Sequence, residues 1–581
     1  MGNTYEPDRV FDYTQYSNMM NVNVIPKQDF KRLVTDTFRT ITDTLRMTYG
    51  PYGSQVMITD QNETTATKDG VTVFNAMHFS NEYKNKVYIA IAKICDRVNR
   101  VVGDGTTSCI LLAEKIFNYV NDIINTPDDQ RKALKILNNI ERHLQNNTIL
   151  EQDIQKGVVK KLNDDALKHM LMMAGNYDDE LTNVLIEAFS PTVDSEGFVK
   201  TVRNVITDEE IERERDTNIQ YTIDPLPGMY RVRVEMFDVF AYALNMWSDV
   251  KIAIFDHQFG RSDWAVFKQG YDKAKNEKVL IIAKGFGSDF IANEYKIYLR
   301  DMNLVKQPAN ITLVSLKGDH PQHELEDLCA LLNVVPYGRN VTEPINHDDF
   351  YVGRVMMHGV NCLCFDNVTA PTEHINKLKL EMEQDVSKSY VTKRDYVDRI
   401  DALSLDGAGD TSLKIKGGTS LEVKLISTKI DDCTSIINSA LLSGVVPNML
   451  VYGYKRIEEM TSTELGDCNI GISIREALLH SIKGLFSDIW QSKHGEKFPK
   501  QGDEFCAKLY NVDKDSMVSF DVVDETFADV DLFPTSAQYD LEVIVAALSI
   551  VKYLLTSGAF IFDSYLMRNT GDGYRFNISD Q

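Results

Sequence analysis

The chain has 581 residues, 43% hydrophobic and 25% charged, a composition normal for a folded protein. Its length exceeds what one hydrophobic core usually serves, so about two to four domains are expected. The net charge of −23, with no offsetting basic stretch, argues against a nucleic-acid partner and means that a polyphosphate site must carry its own cations.

Residues Met1–Glu6 lack the basic-then-apolar pattern of a secretory leader. From Gln28 to Asn146 the spacing is helical, with a strand at Gln55–Thr59. A second helical stretch, Leu162–Phe189, breaks at Ala174–Asp178, and the charged run Thr207–Asp216 reads as a solvated strand or linker. Next, Lys251–Phe255, Lys278–Ala283, Ile311–Ser315 and Val360–Phe365 are buried-strand candidates, separated by helices such as Asp263–Asn276 and Asp289–Met302. This alternation predicts an α/β domain over about Asn218–Thr369. A charged helix pair (Glu373–Leu403), a glycine-punctuated stretch and a helical last third follow. The segment Asp540–Leu555 is apolar but too short to span a bilayer and reads as a core helix. Helix, α/β insert and helix again suggest a discontinuous domain closed by both chain ends. Eight unpatterned cysteines fit a reducing compartment, and a cytoplasmic protein is expected. His320, His323 and Cys329 lack a fourth ligand at zinc spacing and read as a polar surface loop; Cys362 and Cys364 share one strand face, taken as buried.

Three glycine-rich segments carry chemistry: Thr48-Tyr-Gly-Pro-Tyr-Gly53, Thr67-Lys-Asp-Gly-Val-Thr-Val73 and Val102-Gly-Asp-Gly-Thr-Thr-Ser108. Each joins a flexible turn to a hydroxyl or carboxylate, and the third runs into an apolar helix. Glycine lets backbone N–H groups approach a phosphate, and a helix start adds unpaired donors and a positive dipole end. Singly, each is equally an ordinary turn or cap. Together they predict a nucleotide-hydrolysing protein, with Asp69 and Asp104 for Mg²⁺ and water.

The same residues resemble the chaperonin family of the bacterial, GroEL-like type. The resemblance rests on these segments in order, then on Lys416-Gly-Gly-Thr-Ser-Leu-Glu-Val423, Asp431-Asp432, Gly444-Val-Val446 and Tyr510-Asn511. It implies a multidomain α and α/β fold: a helical equatorial ATPase domain (1–150 and 436–581), an α+β intermediate hinge domain (151–205 and 373–435) and an α/β apical domain (206–372). It further implies homo-oligomeric rings, typically heptameric, that capture non-native protein through ATP binding and hydrolysis; the need for a co-chaperonin stays open. Neither nucleic acid nor membrane is an expected partner. The divergence suggests a specialised lineage, phage-encoded or organism-restricted, working in the host cytoplasm if viral.

By resemblance, Asp104 is the Mg²⁺ ligand, and Gly105, Thr106, Thr107 and Ser108 hold the β- and γ-phosphates. Thr48, Tyr49, Gly50 and Pro51 line the α-phosphate, and the carbonyls of Thr48 and Lys68 offer a place for K⁺. Asp69 stands near the γ-phosphate, and Asp432, preferred over Asp431, polarises the attacking water from the hinge domain. Gly444 and Asn511 lie toward the adenosine end, with Asp531, preferred over Asp529, on the ribose. Where the family carries three glycines after Gly-Val-Val, this chain has Pro447-Asn-Met-Leu450, which is expected to crowd or reshape the pocket. Tyr221, Leu226, Val266, Phe267, Phe290, Ile291 and Tyr295 are the client-binding candidates, in a groove made more polar by Lys268, Gln269 and Lys296. Two other readings are a weakly hydrolysing chaperonin-like holdase and an unrelated ATP-dependent transferase built on Lys278–Gly287.

Overall fold

The computed structural model describes residues 22–25, 27–59, 64–68, 70–175, 178–211, 219–226, 230–236, 247–271, 277–304, 310–317, 320–338, 350–358, 362–366, 368–385, 390–404, 410–466, 469–511, 517–556 and 560–563. Asp69, the end of the charged run and the last residues of the chain lie outside them.

The chain divides into two compact units, and the first takes its residues from three stretches: Met1–Gln145, Val446–Val530 and Ala537–Gln581. It is helical, and its two ends meet where strand Val22–Ile25 pairs antiparallel with Phe560–Asp563. Helix Ala537–Thr556 is its axis. Almost every side chain from Ala537 to Leu548 is buried, as an all-round apolar helix requires. It packs against helices Thr106–Ile123, Glu82–Val102 and Pro127–Leu144. Pro127–Leu144 starts on a full capping box, in which Thr126 and Asp129 serve each other's backbone N–H. The strand read at Gln55–Thr59 is half of an antiparallel hairpin, Val56–Thr59 with Thr64–Thr67.

The second unit comprises Asn146–Val445 and Asp531–Ser536. Helices Asp164–Ala174 and Asp179–Phe189 confirm the predicted break, each capped by an Asn or Asp side chain. They share a core with helix Ser420–Ser443 and a three-stranded sheet. There, Asp410–Gly417 lies parallel to Asn204–Ile211 and antiparallel to Gln220–Leu226. The described part of the charged run is therefore a strand.

The predicted α/β region contains a closed six-stranded barrel, in the order Val279–Phe286, Ile311–Leu316, Tyr230–Met236, Cys362–Asp366, Tyr351–His358 and Trp247–Phe259. Both strand faces are covered: Leu280 and Ile282 enter one core, while Val279, Ile281 and Ala283 enter another. Their uninterrupted apolar runs reflect this. Cys364 is buried, as expected. The His320–Cys329 stretch is not a loop: it is the helix Pro321–Leu332, started by proline at its first turn. His323 pairs with Asp395 at 3.0 Å, and burial pushes the Cys329 thiol up to about 12. Buried Asp327 on this helix accepts two hydrogen bonds from Arg399 (2.9 and 2.7 Å), and its carboxylate also pairs with His374 Nε2 (2.7 Å). That carboxylate ties three helices together.

Candidate functional site

The first glycine segment follows helix Lys27–Arg46 directly. Thr48 is buried and donates its hydroxyl to Leu45 O (3.0 Å), and Gly50 turns the chain with φ 77°. A side chain at Gly53 would place its Cβ 2.2 Å from Thr48 O, so only glycine closes this turn. The second segment reaches the first through Lys68, whose Nζ donates to Pro51 O at 2.9 Å. Partial burial lowers the Lys68 ammonium below its ordinary range. The second segment also touches the third: a Cβ on Gly70 would lie 1.7 Å from Thr107 Oγ1.

The third segment enters helix Thr106–Ile123 through Gly103 (φ 77°) and Gly105 (φ 99°). Gly105 is the N-cap, so no side chain caps the first turn. A Cβ on Gly105 would meet Val543 Cγ2 at 2.7 Å and Tyr539 Cε2 at 2.8 Å. Asp104 is exposed at this entrance, and its carboxylate accepts the Gly105 N–H. Thr106 is 4% exposed, yet among the described residues its Oγ1 has no hydrogen-bond partner. Tyr49 of the first segment lies 3.2 Å from Ser108 Oγ of the third. Three segments separated in sequence thus meet at one uncapped helix start, which is the arrangement that binds an anion. Asp69, between Lys68 and Gly70, lies outside the described residues.

The base of this site is ionic. Arg46 pairs with Glu114 (2.8 Å) and Asp488 (3.5 Å), and Lys115 with Asp488 (3.0 Å). These cations serve carboxylates beneath the turns.

In the same unit, the segment lacking the glycine triplet keeps glycine-like backbone. Met449 and Leu450 have φ 65° and 60°. Asn448 exchanges two hydrogen bonds with the Phe520 backbone (2.9 and 3.1 Å), and Tyr510 donates its hydroxyl to Met449 O (2.7 Å). Asn511 is exposed just beyond helix Pro499–Tyr510.

The remaining assigned residues belong to the second unit. Asp432 is half-buried and Asp431 exposed on helix Ser420–Ser443, whose Ile430, Cys433 and Ile437 fill the core. Gly444 ends that helix with φ 77°, and a Cβ there would lie 2.6 Å from Lys160 O. The Asp531 carboxylate is reached by Lys160 Nζ (3.4 Å) and Asn163 Nδ2 (3.3 Å).

The client-binding candidates divide. Phe267, Phe290 and Tyr295 are 0–1% exposed and lie in the core, so they present no surface; this corrects the sequence reading. Phe267 points inward with Trp264 one turn before it. The predicted helix Asp289–Met302 contains a π-turn, Ile291–Tyr295, between Ser288–Phe290 and Lys296–Leu304. The wider turn lets residues five apart, Phe290 and Tyr295, both face inward, and Tyr295 donates its hydroxyl to Ile311 O at 3.0 Å. Val266 and Ile291 are partly buried against the same core. Ile297, which sequence reasoning missed, is 46% exposed. Tyr221 is half-buried opposite Ile415 on the three-stranded sheet, and Leu226 ends the same strand.

A sequence model of the TCP-1/cpn60 chaperonin family matches residues 41–223, which hold all three glycine segments. The chain is 23% identical over 463 residues to the mitochondrial Chaperonin CPN60-like 1 of Arabidopsis thaliana, covering 75% of this chain and 72% of that one. It is also 23% identical over 488 residues to Chaperonin GroEL of Wolbachia pipientis, covering 79% and 82%. The crystal structure of the chaperonin gp146 from bacteriophage EL 2 (Pseudomonas aeruginosa), in the presence of ATP-BeFx, superposes with a TM-score of 0.67 at 18% identity, over 93% of this chain and 99% of that one. Among the described residues no helix is long and apolar enough to cross a membrane, and no cluster of three metal-ligating side chains occurs. Motif order, the matching sequence model and the fold agree: the chain has the fold of the chaperonins and over residues 41–223 is similar to the TCP-1/cpn60 family.

Proposed function

We propose that this chain is the subunit of an ATP-driven chaperonin ring, which captures non-native protein and releases it through Mg·ATP binding and hydrolysis in the cytoplasm. One observation carries the reading: three glycine segments converge on the uncapped start of helix Thr106–Ile123. The backbone N–H groups and hydroxyls of Thr106, Thr107 and Ser108 would hold the terminal phosphates, and the Thr48–Pro51 turn the α-phosphate. The orphaned Thr106 Oγ1 fits such a ligand, because a buried hydroxyl without a partner is costly. Asp104, exposed at the entrance, is the chain's donor for Mg²⁺, which would neutralise phosphate charge that the acidic chain repels. The carbonyls of Thr48 and Lys68 are the donors for K⁺. Asp69 positions the attacking water and Asp432 polarises it, so turnover depends on Asp432 more than binding does. Asn511, Gly444 and Asp531 serve the nucleoside end.

The domain reading follows from the same resemblance. The first compact unit supports an equatorial domain built from 1–150 and 436–581, and the barrel supports an apical domain within 206–372. Client capture would fall to Val266, Ile291, Tyr221 and Leu226. The left-handed backbone of Met449 and Leu450, which glycine would also adopt, favours the hydrolysing subunit over the holdase reading. The likeness to chaperonin folds favours this reading over the unrelated transferase.

Negative-stain imaging with and without Mg·ATP, together with turnover by two variants, tests the proposal. Rings that change with ATP, loss of hydrolysis with retained binding in Asp432→Ala, and weakened Mg·ATP binding in Asp104→Ala are expected. A monomer or dimer under both conditions, or unchanged turnover in Asp432→Ala, would refute the corresponding part.

A further inference from the structure

Ser108 sits in the first turn of helix Thr106–Ile123 and is 8% exposed. Two phenols approach its Oγ: Tyr49 from the first glycine segment at 3.2 Å, and Tyr539, 431 residues further along the chain, at 3.4 Å. These are long hydroxyl contacts, at distances that shorten readily once a ligand orders the group. Several helical Ser and Thr hydroxyls elsewhere in this chain donate to the carbonyl four residues back, as Thr37, Thr42, Ser443 and Ser481 do. Ser108 does not.

We propose that Tyr49 and Tyr539 act as positioning residues that turn the Ser108 hydroxyl into a directed hydrogen-bond donor toward the bound phosphate chain. The inference rests on the nucleotide reading above. A serine oxygen has two lone pairs and one proton. When both phenols donate to it, the lone pairs are occupied and the proton must leave in a third direction. With no bond back into its own helix, that direction is the uncapped helix start where the other donors gather. Accepting two hydrogen bonds also polarises the Ser108 O–H and strengthens it as a donor to an anion. Enclosure pushes both phenols above their ordinary range, so each keeps its proton to donate throughout the neutral range. The ring of Tyr539 is fixed by its packing against Gly105, which ties its hydroxyl to the glycine turn.

Phenylalanine keeps each ring and removes only the hydroxyl, so the test separates orientation from packing. Dissociation constants for Mg·ATP are measured by calorimetry on the full chain for Ser108→Ala, Tyr49→Phe, Tyr539→Phe and both combinations with Ser108→Ala. Ser108→Ala should weaken binding about tenfold or more, and each phenylalanine about threefold. Each phenylalanine change should become silent in the Ser108→Ala background, and Ser108→Thr should restore both affinity and sensitivity to the phenols. An equal loss in both backgrounds, or a lowered melting temperature with unchanged affinity, overturns the proposal. Asp104→Ala separates the two levels. If it weakens Mg·ATP binding while the phenylalanine variants do not, the positioning role alone falls; if Asp104→Ala and Ser108→Ala both bind normally, the nucleotide reading falls with it.

Discussion

The turn at Met449–Leu450 offers a test in which the usual order of glycine and alanine reverses. Both residues are held left-handed, with φ 65° and 60°. Side chains of L-residues cost about 1–2 kcal/mol each in that region. The pair therefore stores roughly 2–4 kcal/mol. Three hydrogen bonds, two between Asn448 and Phe520 and one from Tyr510 to Met449 O, contribute about 0.5–1.5 kcal/mol each and offset it. Met449 is only half-buried, so truncating it costs little packing. Met449→Ala keeps the Cβ strain, whereas Met449→Gly releases it and returns about 0.5–1 kcal/mol of that to the greater freedom of the unfolded chain. The glycine variant should therefore be the more stable by about 0.5–1 kcal/mol. At exposed Lys135, inside helix Pro127–Leu144, the same pair should favour alanine by about 1 kcal/mol. Thermal and urea unfolding of the four variants measure the order. Alanine at 449 as stable as glycine would refute the strain argument.

Gly70→Ala should destabilise the first unit by about 1–3 kcal/mol, since its Cβ would fall 1.7 Å from Thr107 Oγ1; in a Thr107→Ala background most of that loss should vanish, as unfolding of the double variant would show. Asp540 is fully buried, where its carboxylate accepts the N–H groups of Tyr452 and Gly453 (3.0 and 3.4 Å), and burial holds its carboxyl well above the ordinary range. The folded chain then binds this proton more tightly than the unfolded one, so the stability due to Asp540 falls as pH rises from about 4 upward. Asp540→Asn should gain in melting temperature relative to the parent between pH 4 and 8, and a pH-independent difference would contradict the assignment. Phe267→Ala should cost about 3–5 kcal/mol, whereas Val266→Ser and Ile291→Ser, only partly buried, should cost clearly less and reduce co-sedimentation of a chemically denatured protein.

Local order was largely readable from sequence because it depends on neighbours. The helix break at Ala174–Asp178, the core helix ending near Leu555 and four of the six barrel strands follow from apolar spacing and side-chain caps; Tyr230–Met236 and Tyr351–His358 were not foreseen. The inward turn of Phe290 and Tyr295 did not. A π-turn adds a residue to one helical turn, and the apolar pattern cannot distinguish a stripe facing solvent from one facing the barrel until that phase is known. The same ambiguity hid Ile297, which lacks any local mark of exposure.

The glycine segments were legible because glycine is required where a backbone turns left-handed or another chain segment presses close, and Gly50, Gly53, Gly70, Gly103 and Gly105 each meet one of those conditions. Their supports were not legible. Tyr539 stands between Gln538 and Asp540, 431 residues from Ser108, with nothing local to mark it. Asn448 and Tyr510 look ordinary until their partners, Phe520 and Met449, are seen. The loss of the glycine triplet reads in sequence as a lost conformation. In the fold Met449 and Leu450 are left-handed all the same, held by hydrogen bonds between Asn448 and Phe520 and from Tyr510 to Met449 O. A missing motif residue therefore predicts a missing function only when no neighbour can impose the same backbone. Here Asn448 and Tyr510 impose it, which is why binding at this end of the site should survive Met449→Gly and weaken in Tyr510→Phe, where Met449 O loses its donor.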